Sequence, residues 1–215
     1  MTHLQPDCRI YLVVEATAAA VEQLTAAAEA GDVACCLIVP AAGAAIEAAA
    51  ARSLVAAAQR AGVAALIADA TDLAGTLRAD GVHLTPRPQV LDAYAVARQS
   101  LGRDAIVGAD VGISRHDAMS LAEAGADYIA FGAPSHLKDR TRARERRDDL
   151  VSWWGEIFEV PCVALDVEGP AEAQRLARAG SNFVAVTVPM GAAAGATRAL
   201  VAEIGAAIAS GAEAG

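Results

Sequence analysis

The chain has 215 residues, 55% of them apolar and 4% aromatic, which is enough for one sizeable core and short for two domains. Its 26 acidic and 17 basic residues give a net charge of −9, opposing any general attraction to nucleic acid, and no apolar stretch reaches the roughly 18 residues of a membrane span. The opening MTHLQPDCR has neither the basic start nor the apolar run of a secretory signal, so a cytoplasmic location is expected.

A first strand is predicted over residues 10–14, then an alanine-rich helix over 17–30 and a strand over 33–39 that Pro40 stops. A helix over 45–60 leads to a strand over 64–68, with Asp69 just past its end, and a short helix over 73–77 precedes a strand over 81–84. Pro86 and Pro88 then impose a rigid loop, because each fixes its own φ and restricts the residue before it. A helix over 90–100, a strand over 105–109, a helix over 115–123 and a strand over 128–131 continue the alternation. After a polar segment, 135–149, come a helix over 150–158, a strand over 162–165, a helix opened by Pro170, a strand over 183–188 and a closing helix.

Five of the joints share one pattern: EAGDVACCLIV from Glu29, RAGVAALIAD from Arg60, RADGVHL from Arg78, EAGADYIAFG from Glu123 and RAGSNFVAVTV from Arg178. Each reads as a helix end, a break supplied by Gly or Asp, and a strand buried on both faces. About eight strands alternating with about eight helices is the signature of a (β/α)8 TIM barrel of the α/β class. A single domain over 1–215 is expected, with an ordered core over 8–210 and a small-residue tail at 211–215. A doubly wound open sheet is the alternative, but the first β/α turn has no glycine-rich phosphate fingerprint.

Barrels keep their chemistry at the C-terminal ends of their strands. Asp69 is therefore a candidate Mg²⁺ ligand, or else it or Asp72 caps the helix that follows. His83, inside GVHL, is either a mouth residue that orients a carboxylate or phosphate, or a hydrogen-bonded core residue. Asp110 and Asp166 end their strands, where they could enter a site or begin turns. The one basic cluster, SHLKDRTRARERRDD, carries Lys138, Arg140, Arg142, Arg144, Arg146 and Arg147; it reads either as a lid that neutralises phosphate or as a solvated loop. Cys8, Cys35, Cys36 and Cys162 lack zinc-knuckle spacing and are expected to be reduced core residues, with Cys35 and Cys36 on opposite strand faces. Trp153 and Trp154 suit helix packing or a subunit contact, which leaves a homo-oligomer open.

The blocks YLVVE, LIADATDLAGTLRADGVHL, EAGADYIAFG, VPCVAL and AGSNFVAV resemble, in order along the chain, the thiamine phosphate synthase and thiazole tautomerase family. The resemblance implies a barrel that joins a hydroxymethylpyrimidine diphosphate to a thiazole phosphate and releases pyrophosphate with Mg²⁺ assistance. It implies Asp69 as a metal ligand and aligns Lys138 with the family lysine to within a residue or two. Several family motifs are replaced. Thr85-Pro86-Arg87-Pro88 stands where the second metal aspartate is expected, so Arg87 brings a positive charge close to the ion's place. Pro40-Ala41-Ala42-Gly43 replaces a basic motif, Gly108-Ala109-Asp110-Val111-Gly112 replaces a Gly-x-Ser-x-His sequence, and Asp166-Val167 replaces a glycine pair. Three functions follow: the family transferase; a repurposed barrel binding a small phosphorylated molecule through Arg87, Arg140, Asp110 and Asp166; or an oligomeric scaffold.

Overall fold

A computed structural model describes residues 8–134 and 137–212. The strands are β1 (Arg9–Glu15), β2 (Val33–Val39), β3 (Ala64–Ala68), β4 (Gly81–Leu84), β5 (Ile106–Asp110), β6 (Tyr128–Phe131), β7 (Cys162–Ala164) and β8 (Phe183–Thr187). The helices that alternate with them are α1 (Ala20–Ala30), α2 (Ala48–Arg60), α3 (Thr71–Leu77), α4 (Val90–Leu101), α5 (Arg115–Glu123), α6 (Arg140–Ile157), α7 (Pro170–Arg178) and α8 (Ala194–Ala212). The strands form a closed barrel in sequence order, all parallel, and β1 pairs with β8 from Arg9 opposite Phe183 to Val13 opposite Thr187. The open-sheet alternative is excluded by that closure.

Side-chain alternation divides the core into two layers. Tyr11, Cys35, Leu37, Leu66, Ala68, Tyr128, Ala130, Val163 and Ala185 pack together inside the barrel. Their neighbours Leu12, Cys36, Ile38, Ile67, Ile129 and Val184 pack outward against the helices. Cys35 and Cys36 thus face opposite ways, and all four cysteines are free thiols. Burial pushes the Cys36 thiol up to about 12 and Cys162 up to about 11, so both behave as small apolar groups. Gly108 is required by packing: a Cβ there would lie 2.2 Å from the Tyr128 ring.

The repeated joints have a structural reason beyond the helix break. The polar residue just before an even strand reaches the start of the preceding odd strand. The Asp80 carboxylate accepts from the N–H of Ala65 at 2.7 Å, Asp127 from that of Val107 at 2.7 Å, and the Asn182 amide oxygen from that of Cys162 at 2.8 Å. Asp32 instead grips the Arg9 side chain through both oxygens. These bonds satisfy strand-end donors at the N-terminal rim, so the motif holds the stable end of the barrel and leaves the opposite rim to vary.

Two boundaries depart from expectation. The polar segment 135–149 is not a loop: α6 begins at Arg140, with Asp139 as its N-cap accepting from the N–H of Arg142 at 3.0 Å. A charge-rich run gives no apolar periodicity until residue 150, and its helical turns are tied by ion pairs from Arg144 to Glu168 and from Arg147 and Asp148 to Glu172 and Arg175 of α7. Residues 135 and 136, the first of that segment, lie outside the described residues. At the other end, α8 continues to Ala212, into the expected tail.

Candidate functional site at the C-terminal mouth

Asp69 leaves β3 in the left-handed region, φ 57°, which turns its carboxylate toward the end of β4. Oδ1 accepts from the N–H of Thr85 at 2.9 Å and from Arg87 Nη2, while Oδ2 accepts from the Thr85 hydroxyl. Arg87 is held in turn by Nε donating to the Thr85 carbonyl at 3.0 Å and Nη2 to the Thr85 hydroxyl at 3.1 Å. The cap reading of Asp69 and Asp72 is therefore corrected: α3 has Ala70 as N-cap and no side-chain cap bond.

Of the two places expected for His83, the structure gives the hydrogen-bonded core and not the reacting surface that a catalytic role requires. It is 2% exposed, and its Nδ1 lies 2.8 Å from the Tyr128 hydroxyl and 3.2 Å from that of Tyr11; the two hydroxyls are 2.9 Å apart. Burial pushes His83 down to about 4, since desolvation disfavours the imidazolium. The neutral ring stacks on Tyr128 with centroids 5.9 Å apart and floors the barrel below the Asp69 and Arg87 pair.

Across the mouth, Asp110 and Asp166 face each other over Gly132. Each Oδ2 stands 3.3 Å from the point a Cβ on Gly132 would occupy. Asp110 is 9% exposed, and its Oδ1 accepts from the N–H of Gly112 at 2.7 Å. Asp166, also left-handed at φ 57°, accepts from the N–H of Ala133 at 2.7 Å. Burial pushes the Asp110 carboxyl up to about 7; the Asp166 charge adds to that rise and the Gly112 N–H opposes it.

The basic cluster is occupied in building the wall. Arg140 Nη1 donates to the carbonyls of Ala133 and Pro134 at 2.6 and 2.8 Å, so it braces the loop after β6. Arg144 pairs with Glu168. Arg147 is wholly buried; it pairs with Asp148 at 2.7 Å and Glu172 at 2.5 Å and donates to the carbonyls of Leu165 and Asp166 at 2.6 and 3.0 Å. The lid reading of residues 140–147 is thus replaced by a helix that supports the Asp166 turn. Lys138 is exposed in the loop before α6, and no contact among the described residues joins it to Asp69.

Sequence reasoning missed Glu15, Thr85 and Gly132. Glu15 ends β1 on the face of Tyr11 and Val13, and among the described residues its buried Oε2 has no hydrogen-bond partner. The strand-end rule that selected Asp110 would have selected it too. Thr85 and Gly132 carry no charge and become visible only through what they touch.

A divalent ion does not fit at Asp69 as this chain holds it. Mg²⁺ requires several oxygen ligands in near-octahedral array. Here a guanidinium and two Thr85 donors occupy the carboxylate, and among the described residues no group of three His, Cys, Asp or Glu could hold a metal. A cavity of about 470 Å³ between α6 and α7 lies outside the barrel and is lined by charges already paired with one another, Arg144 with Glu168 and Asp148 with Arg175, so it does not compete with the mouth as a site.

A closed parallel barrel with Asp69, Arg87, Asp110 and Asp166 gathered at the C-terminal rim is the architecture of barrel proteins that act on small ligands. The thiamine monophosphate synthase family model matches residues 10–190, and the chain belongs to that family. It is 39% identical over 189 residues to a thiamine-phosphate synthase of Rhodospirillum centenum, covering 84% of this chain and 87% of that protein. It is 44% identical over 127 residues to one of Erythrobacter litoralis, an alignment spanning 58% of each. Among solved structures, thiamine phosphate pyrophosphorylase from Pyrococcus furiosus superposes with a TM-score of 0.74 at 21% identity, over 97% of this chain and 99% of that one, which shows the shared fold. No described helix is long and apolar enough to cross a membrane.

Proposed function

We propose that the chain is a transferase of the thiamine phosphate synthase type, joining a hydroxymethylpyrimidine diphosphate to a thiazole phosphate and releasing pyrophosphate. The observation that carries this reading is the family match over residues 10–190 together with a cation, Arg87, fixed at the mouth between the ends of β3 and β4. Loss of pyrophosphate from the pyrimidine requires positive charge beside the leaving oxygens. Arg87 is the group this mouth offers there, and no step is assigned to a metal. Neutral His83 and the two tyrosines close the floor against water. The experiment is thiamine phosphate formation by purified chain given both substrates: product above that of Arg87→Ala is expected, no product would refute the transferase reading, and equal rates with and without the arginine would refute the role of Arg87.

The pair Asp110 and Asp166 favours a second reading, a barrel repurposed for another small ligand. Carboxylates repel a phosphate, whereas Asp110, with its carboxyl at about 7, suits a ligand that donates or takes a proton. A thermal-shift screen separates the two: stabilisation by thiazole phosphate supports the transferase, and stabilisation by unphosphorylated ligands alone supports the second reading.

A further inference from the structure

We infer that this chain binds its oxyanion ligand without a divalent metal, using the Arg87 guanidinium as a built-in cation in the place on Asp69 that a metal ion would take. The inference rests on the reading of the mouth as a phosphate site and adds to it the nature of the cation.

Three observations support it. First, most of the acceptor capacity of Asp69 is used: Oδ1 receives two donors and Oδ2 one, all from Thr85 and Arg87. An approaching divalent ion would have to displace a guanidinium that is itself anchored at Nε and Nη2. Second, the guanidinium is preorganised. Pro88 restricts the backbone of Arg87 and Pro86 that of Thr85, and Asp69 and Thr85 fix the plane of the fork. Little side-chain freedom is left to lose on binding, a cost that normally weakens arginine contacts. Third, the anchored fork keeps a face for a ligand. Its bonds use Nε and Nη2, no hydrogen bond of Nη1 is formed among the described residues, and the side chain is 34% exposed. The two N–H groups of Nη1 diverge, so each can donate one charge-assisted hydrogen bond to a phosphate or diphosphate oxygen.

The charge balance explains why this arrangement is an exchange and not a simple addition. Asp69 with a divalent ion carries one net positive charge, whereas Asp69 with Arg87 carries none. Attraction to an anion then depends on directed hydrogen bonds at short range, so binding is weaker at a distance and more dependent on geometry. His83 beneath the pair stays neutral and adds no charge.

The test is isothermal titration calorimetry of inorganic pyrophosphate into the purified chain, in a chelating buffer and again with Mg²⁺. The expected result is binding in chelator, an affinity changed by less than about threefold by Mg²⁺, and a loss of about tenfold or more in Arg87→Ala. Arg87→Lys, which keeps the charge but not the fork, should lose a similar amount, and it is the variant to read if the alanine form does not fold. Binding that requires Mg²⁺, binding indifferent to both substitutions, or no binding at all would overturn the inference. The two proposals fail separately. A chain that forms thiamine phosphate only with Mg²⁺ keeps the function and loses the built-in cation; one that binds pyrophosphate in chelator but makes no product does the reverse.

Discussion

The Asp69 carboxylate and the Arg87 guanidinium meet across the ends of β3 and β4, bridged on both sides by Thr85. Both side chains are about one-third exposed, at 37% and 34%, so solvent screens the pair and its coupling should be near 1 kcal/mol. A double-mutant cycle of Asp69→Asn and Arg87→Gln, read by urea unfolding, should return about that value. The pair therefore organises the mouth more than it stabilises the fold.

Ionisation of Asp110 is expected to make stability fall as pH rises. Its carboxyl goes from the ordinary 3.8 to about 7 in the folded chain, so the folded state holds the proton more tightly. That contribution is complete below pH 4 and is lost as pH rises through 7, a change of up to about 4 kcal/mol. His83 has the opposite sense: pushed down from 6.5 to about 4, it contributes stability above pH 6.5 that is lost as pH falls through 4. The two slopes oppose each other between pH 4 and 6.5. In Asp110→Asn, which can still accept from Gly112, the fall above pH 6.5 should vanish and the His83 slope should emerge, as followed by chemical denaturation across pH.

Arg147 should be among the costliest side chains to remove. It is fully buried, pairs with Asp148 and Glu172, and supports the carbonyls of Leu165 and Asp166. Arg147→Met takes the buried cation from Asp148 and Glu172, leaves them only the exposed Arg175 as an ionic partner, and releases the Asp166 turn, at a cost of about 3 kcal/mol. Arg146→Met, next to it but exposed, should change stability by less than about 0.5 kcal/mol. Thermal and urea unfolding of the two variants make the comparison.

Gly108→Ala should disrupt the barrel floor. The new methyl would stand 2.2 Å from the Tyr128 ring, whose hydroxyl is tied to Tyr11 and His83. A loss of about 3 kcal/mol or more is expected, and adding Tyr128→Val should recover part of it by removing the obstructing ring.

The fold was legible because its signals are local. Apolar runs such as VACCLIV and AALIA are strands buried on both faces, and the Asp80, Asp127 and Asn182 joints repeat because each meets the same need at the N-terminal rim. The start of α6 was not legible, since its first turns carry charges whose partners, Glu168 and Glu172, lie on a later segment. At the mouth, strand-end position located Asp69, Asp110 and Asp166. It could not show that Asp69 is occupied by Arg87, that Arg140 faces backbone carbonyls, or that His83 lies below the reacting surface. Those outcomes depend on how turns and neighbouring strands fold back on one another, which no residue spacing encodes.

The most direct measurement is the rate of thiamine phosphate formation from both substrates in a chelating buffer, compared with the rate in Mg²⁺ and with that of Arg87→Ala. Turnover should persist in chelator and drop by about a hundredfold in Arg87→Ala, the scale of losing one group that stabilises developing charge. Turnover that appears only with Mg²⁺ and survives removal of Arg87 would contradict that role of the arginine.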